Sequence, residues 1–192
     1  MFPTSHRSLR ALAIAAAALL AGCADPTRPV TSGAALTTRA ASVDARYYAI
    51  ARPSALAAPA AATALITPAG GVLELASAGL RVSFPAGAVS ADVRVTVRTA
   101  STSRVAYDFE PHGLVFSAPV QVHQVVGAAA IAAAPATPLL ATYVSAGLPG
   151  TTDGGHLADE VLPVSLDAAA GTASFAIRHF SGYQLASGRT KR

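Results

Sequence analysis

Over its first 22 residues the chain runs from a short polar, basic stretch into an uninterrupted apolar one. From Leu65 onward the pattern changes to strict alternation broken by turn residues. Gly70-Gly71 opens Val72-Leu73-Glu74-Leu75, and Ala78-Gly79 precedes Leu80-Arg81-Val82-Ser83-Phe84, where Leu80, Val82 and Phe84 share one face. Pro85-Ala86-Gly87 stops that run. Val93, Val95 and Val97 alternate with Arg94, Thr96 and Arg98, the period of a half-buried strand. Further strands are expected over 105–110, 120–126, 139–144, 160–166, 173–178 and 182–186. Past the first 22 residues no segment shows a helical face of useful length, and Ala128–Pro138 reads as a loop or a single helical turn. Many short strands with Gly/Pro turns predict an all-β fold, an antiparallel sandwich or barrel, over residues 64–188.

Residues 24–63 are rich in Ala, Thr, Ser and Pro with weak periodicity, so 23–63 is expected to be a flexible linker. Tyr47, Tyr48 and Ile50 are its exception, and a short strand docked on the domain is one reading of them. Residues 189–192 form a basic tail. The apolar fraction is 52%, but 47 of the 192 residues are Ala, so the core is thinner than that fraction suggests. Charged residues make up 12% of the chain, too few for a charge-solvated disordered protein.

The formal charge of +4 is unevenly spread. Residues 64–188 hold five Arg and eight acidic residues, a net of −3, while the tail Arg189, Lys191 and Arg192 and the stretch 24–63 are basic. No basic patch with interleaved aromatics appears, which argues against nucleic-acid partners. One Cys excludes an intramolecular disulfide framework and a Cys-based zinc cluster.

The amino terminus has a positive n-region with Arg7 and Arg10, then an uncharged apolar run over 11–22. Twelve residues at 1.5 Å rise are too short for a bilayer core of roughly 30 Å. The run ends in Leu20-Ala21-Gly22-Cys23, which resembles the lipobox of bacterial lipoproteins. The resemblance implies that residues 1–22 are a signal peptide and that Cys23 receives a diacylglycerol on its thiol. Cleavage before Cys23 and acylation of the new amino group would follow, anchoring the protein stably in a membrane. The plainer reading is an ordinary secretory signal with a chance Cys. Ala24 follows the Cys, where enterobacterial lipoproteins retained in the inner membrane carry Asp, so the outer membrane is favoured if the cell is Gram-negative.

Within the strand-rich part, three blocks recur in order. They are Gly70, Gly71, Leu73; Phe84, Pro85, Gly87, Ala88; and Pro111, His112, Gly113, Leu114, Phe116, Pro119, Val120. Together they resemble the ZU-five domain of ankyrins, netrin receptors and zonula-occludens proteins, well over residues 66–126 and more weakly through His179-Phe180-Ser181-Gly182-Tyr183. The resemblance implies a β-sandwich. Read on their own, these are turn and packing residues, and a fold does not supply a function.

The sharpest chemical candidate is His179-Phe180-Ser181. Some relatives of this domain cut themselves between the Phe and Ser of such a triplet, and that resemblance would make Ser181 the nucleophile and His179 its base. Otherwise Phe175, Ile177 and His179 simply line one face of a late strand. His112, His123, His156 and His179 lack metal-ligand spacing, with His123 expected to face water. The acidic loop 153–160 could hold calcium but lacks the EF-hand pattern. The glycine pairs 70–71 and 154–155 are not phosphate loops. Asp108 and Glu110 share a strand face, where a polar sheet surface is a plainer reading than a glycosidase pair.

The sequence therefore predicts a lipid-anchored envelope protein with a non-catalytic interaction or structural sandwich. It predicts no cofactor, no metal and no nucleic acid, with an unidentified protein or cell-wall partner. The alternatives are a domain that cuts Phe180–Ser181, and a carbohydrate or peptidoglycan binder. The last is disfavoured by the absence of Trp and the presence of only five Tyr.

Overall fold

In a computed structural model, residues 46–127, 139–145 and 155–189 are described. They form twelve strands: β1 Arg46–Ala49, β2 Ala61–Ile66, β3 Gly71–Leu75, β4 Leu80–Phe84, β5 Val93–Thr99, β6 Ala106–Glu110, β7 Val115–Val125, β8 Leu139–Val144, β9 Glu160–Pro163, β10 Ser165–Asp167, β11 Thr172–His179 and β12 Gly182–Arg189. One 3-10 turn, Ala76–Ala78, links β3 to β4.

The strands form two antiparallel sheets packed as a β-sandwich. The first has the order β2-β5-β6-β12-β8-β9, with β1 also pairing β12; the second has the order β10-β11-β7-β4-β3. The alternation read from the sequence is the alternation of burial. On β4, Leu80, Val82 and Phe84 are buried while Arg81 is exposed; on β5, Val95 and Val97 are buried while Arg94 and Arg98 are exposed. Each face filled with apolar side chains gains by leaving water, and only the opposite sheet can cover it. The shared core takes Leu73, Leu80, Val82 and Val122 from the second sheet, and Val95, Val97, Phe109 and Leu185 from the first.

The expected strands at 72–75, 80–84, 93–98, 105–110, 139–144, 173–178 and 182–186 all lie within or against observed ones. The stretch expected over 160–166 breaks into β9 and β10, which belong to different sheets. β7 starts at Val115 rather than 120 and runs through Pro119.

The main departure concerns the linker expected over 23–63. The folded part already includes β1 and β2. Tyr47 is buried against Val161 and Ala186, and β1 pairs along β12 from Arg46↔Arg189 to Ala49↔Ala186. β2 pairs in register with β5 from Ala61↔Arg98 to Ile66↔Val93. Ala61, Ala62, Thr63 and Ala64 carry too little hydrophobic contrast to announce a strand, and their place is set by the backbone of β5. The Ala128–Pro138 loop lies outside the described residues, as do residues 1–45.

One glycine is required by close approach. Gly70 has φ +94° in the turn between β2 and β3, and a Cβ there would stand 2.5 Å from the Phe84 carbonyl oxygen.

Candidate functional site

Ser181 lies where the chain passes from one sheet to the other. β11 belongs to the five-stranded sheet and β12 to the seven-stranded one, so Phe180 and Ser181 bridge the sandwich. Both are fully buried. The Phe180 ring fills the space between the sheets, stacked on Phe109 at 5.0 Å and edge-on to Phe116 at 4.8 Å and Phe84 at 5.9 Å.

The backbone of this joint is held by the segment between β6 and β7. Phe180 N–H donates to the Leu114 carbonyl at 2.8 Å, and Gly113 N–H donates to the Phe180 carbonyl at 2.9 Å. Phe109 N–H donates to the Ser181 carbonyl at 3.1 Å. Gly113 takes φ +75°, a backbone conformation that a side chain would strain.

The Ser181 hydroxyl has several polar neighbours. It donates to the Ser145 carbonyl at 2.9 Å, and its oxygen stands 3.2 Å from His112 Nδ1. On the other side of the same imidazole, Nε2 stands 3.4 Å from Asp108 Oδ1. Asp108 and His112 are four residues apart across the Pro111 turn, so one short segment supplies both. His112 is also the solvent-facing member of the group, with its side chain 43% exposed beside a wholly buried hydroxyl. Burial first, then the Asp159 and Glu160 carboxylates, push the Tyr143 phenol above its usual range, against the opposing effect of a hydrogen bond with Ser181.

His179, the base expected from the triplet, is occupied elsewhere. Its Nε2 is 3.0 Å from Glu160 and its Nδ1 is 3.0 Å from the Tyr183 hydroxyl, which also donates to the His179 carbonyl at 2.8 Å. Tyr143 packs edge-on against it at 4.1 Å. Burial, with Glu160 and Tyr143 adding to it, holds the Tyr183 phenol protonated far above its usual range. The triplet's Phe and Ser therefore meet in the joint, while its His braces β12 against β9.

Chemically, the joint holds a buried hydroxyl, an imidazole within reach of it, a carboxylate behind that imidazole, and an N–H aimed at the carbonyl just before the hydroxyl's own residue. These are the parts that activate a hydroxyl and polarise an acyl group. In the sequence His112 stands in a fold motif and among histidines without metal-ligand spacing, and nothing there marks it as a base. Residues 112 and 181 are 69 apart, and no local spacing could have paired them.

Compared with protein-family models and with curated proteins, the chain matches none.

The other candidates scatter. His123 faces water, as expected, with Nδ1 2.9 Å from the Ser174 hydroxyl. Glu110 is paired with Arg98 rather than with Asp108. His156 pairs with Tyr47 as an isolated bridge, and burial lowers its ring's proton affinity while Gln184 opposes the shift. Among the described residues no three His, Cys, Asp or Glu side chains come together to hold a metal, and no helix is long and apolar enough to cross a membrane. Asp153 and Gly154 lie outside the described residues, and Cys23 does too.

Proposed function

We propose that this protein is a bacterial envelope lipoprotein. Cys23 carries the acyl chains, and a ZU-five-like sandwich serves as a structural or interaction module beside the membrane, the outer one in a Gram-negative cell. The observation that carries the reading is the position of the chain's one Cys at the end of Leu20-Ala21-Gly22-Cys23. A thiol there, after an apolar run too short to span, is the acceptor that lipid transfer needs. The sandwich's partner on this reading is a protein or a cell-wall polymer.

The test is the intact mass of the mature protein from its native host together with its membrane partition. The expected result is a mass starting at Cys23 plus one diacylglycerol and one acyl chain, and loss of membrane association in Cys23→Ser. An unacylated chain, or a Cys23→Ser variant that stays membrane-bound after signal removal, would end this reading.

A second reading is favoured by one observation, the Gly113 N–H on the carbonyl of Phe180. On this reading the sandwich also cuts its own Phe180–Ser181 bond. The denatured protein then separates Ser181–Arg192 from the rest, and Ser181→Ala leaves a single chain. A wild type that remains one chain after denaturation would dismiss it.

A further inference from the structure

The geometry points to His112, oriented by Asp108, and not to the adjacent His179, as the base that activates Ser181 for cleavage of the Phe180–Ser181 bond. The inference rests on the self-cutting reading above and names the residue that would drive it.

Three observations carry it. First, His112 Nδ1 is 3.2 Å from the Ser181 hydroxyl oxygen, hydrogen-bond reach for a base and its proton. Second, the far nitrogen of the same ring faces Asp108 Oδ1 at 3.4 Å, and that oxygen is buried with no hydrogen-bond partner. No hydrogen bond joins the two in the resting structure; a small turn of the ring would let Nε2 donate to this open acceptor, and Nδ1 would then keep its lone pair for the Ser181 proton. Third, the two nitrogens of His179 face Glu160 and the Tyr183 hydroxyl.

The steps balance with groups already present and solvent water. The Ser181 hydroxyl gives its proton to His112 Nδ1 as its oxygen bonds to the Phe180 carbonyl carbon. The electron pair of the C=O moves onto the oxygen that Gly113 N–H already touches. The carbon–nitrogen bond then breaks, and the Ser181 nitrogen takes the proton back from His112 and becomes a free amine. Phe180 is now joined to Ser181 through an ester. Water hydrolyses that ester, leaving a carboxylate on Phe180 and the hydroxyl restored on Ser181. His112 is the exposed member of the group, so it also connects the buried hydroxyl to solvent.

The hydroxyl has one hydrogen, and in the resting structure the Ser145 carbonyl at 2.9 Å competes for it with His112. Cleavage is therefore expected to be slow, on the scale of chain maturation rather than of turnover.

The experiment follows the denatured mass of the full mature chain over time after synthesis in a cell-free system, with and without hydroxylamine, which opens the ester. Folding of each variant is checked by circular dichroism. The expected pattern is cleavage in the wild type and in His179→Gln. His112→Gln should slow it about 100-fold or more, the range a general base supplies. Asp108→Asn should be slowed by an intermediate factor. Should His112→Gln not fold, His112→Asn takes its place, with the same slowing expected. If folded His112→Gln cuts at the wild-type rate, or if His179→Gln alone stops the reaction, the assignment of the base is overturned and self-cutting stands. If the wild type stays whole even in hydroxylamine, both fall.

Discussion

Phe180 shows how one residue can belong to the fold and to the candidate chemistry at once. Its ring touches aromatic partners from both sheets, so removing it opens a cavity that neither sheet can close alone. Phe180→Ala is expected to cost about 3–5 kcal/mol. In a domain of this size that is a drop in Tm of roughly 10 °C or more, read by thermal denaturation. A drop of only a degree or two would mean that the ring is not the wedge described above. The same burial keeps Ser181 away from bulk water, and the exposed edge of His112 is its link to solvent. The burial of Phe180 and its neighbours follows from the apolar alternation of β4, β6 and β7. The identity of the polar group beside Ser181 does not, because hydrogen bonding between residues 69 apart leaves no periodic trace.

At the scale of elements, β12 is the piece on which the first sheet depends. It pairs with β6 through Gly182–Gln184, with β8 through Gly182–Ser187 and with β1 through Ala186–Arg189. Removing it exposes the edges of three strands and the seats of Tyr183 and Leu185, both buried. A chain ending at Phe180 is therefore expected not to fold, as judged by loss of the β-sheet circular-dichroism signal and by protease sensitivity. A stable, protease-resistant truncation would contradict the central place given to β12. A break in the backbone at Phe180–Ser181 is a different event, since the strand's ladder hydrogen bonds and core contacts would still hold it in place. Elements with strong alternation, such as β4, β5 and β11, were legible in the sequence. β2 was not, because Ala and Thr on a sheet edge give a weak pattern and β5 supplies the register. β9 and β10 read as one strand although Pro163 stands at the break, because the apolar residues on both sides of it carry the pattern across the point where the chain changes sheets.

At the scale of the whole molecule, stability should depend on pH through His156. Burial disfavours its charged form in the folded state, while the unfolded chain takes up the proton near the ordinary imidazole value of about 6.5. The unfolded state thus binds more protons as pH falls below that value. The contribution of this group is complete above about pH 6.5 and is lost progressively as the solution becomes more acidic. His156→Gln should flatten the acid side of a Tm–pH curve, and an unchanged slope would show that the ring stays solvated. Partial exposure keeps the effect small.

Sequence alone determined the all-β class and most of the strands. Alternation at period two and turn residues are local signals, and each is complete within a few residues. Only the tertiary structure decided that the sandwich includes β1 and β2, that β12 lies inside its sheet, and that His112 rather than His179 faces Ser181. Those facts depend on which backbone edges and side chains meet after folding, and contacts between distant residues are fixed by the packing of the two sheets as a whole.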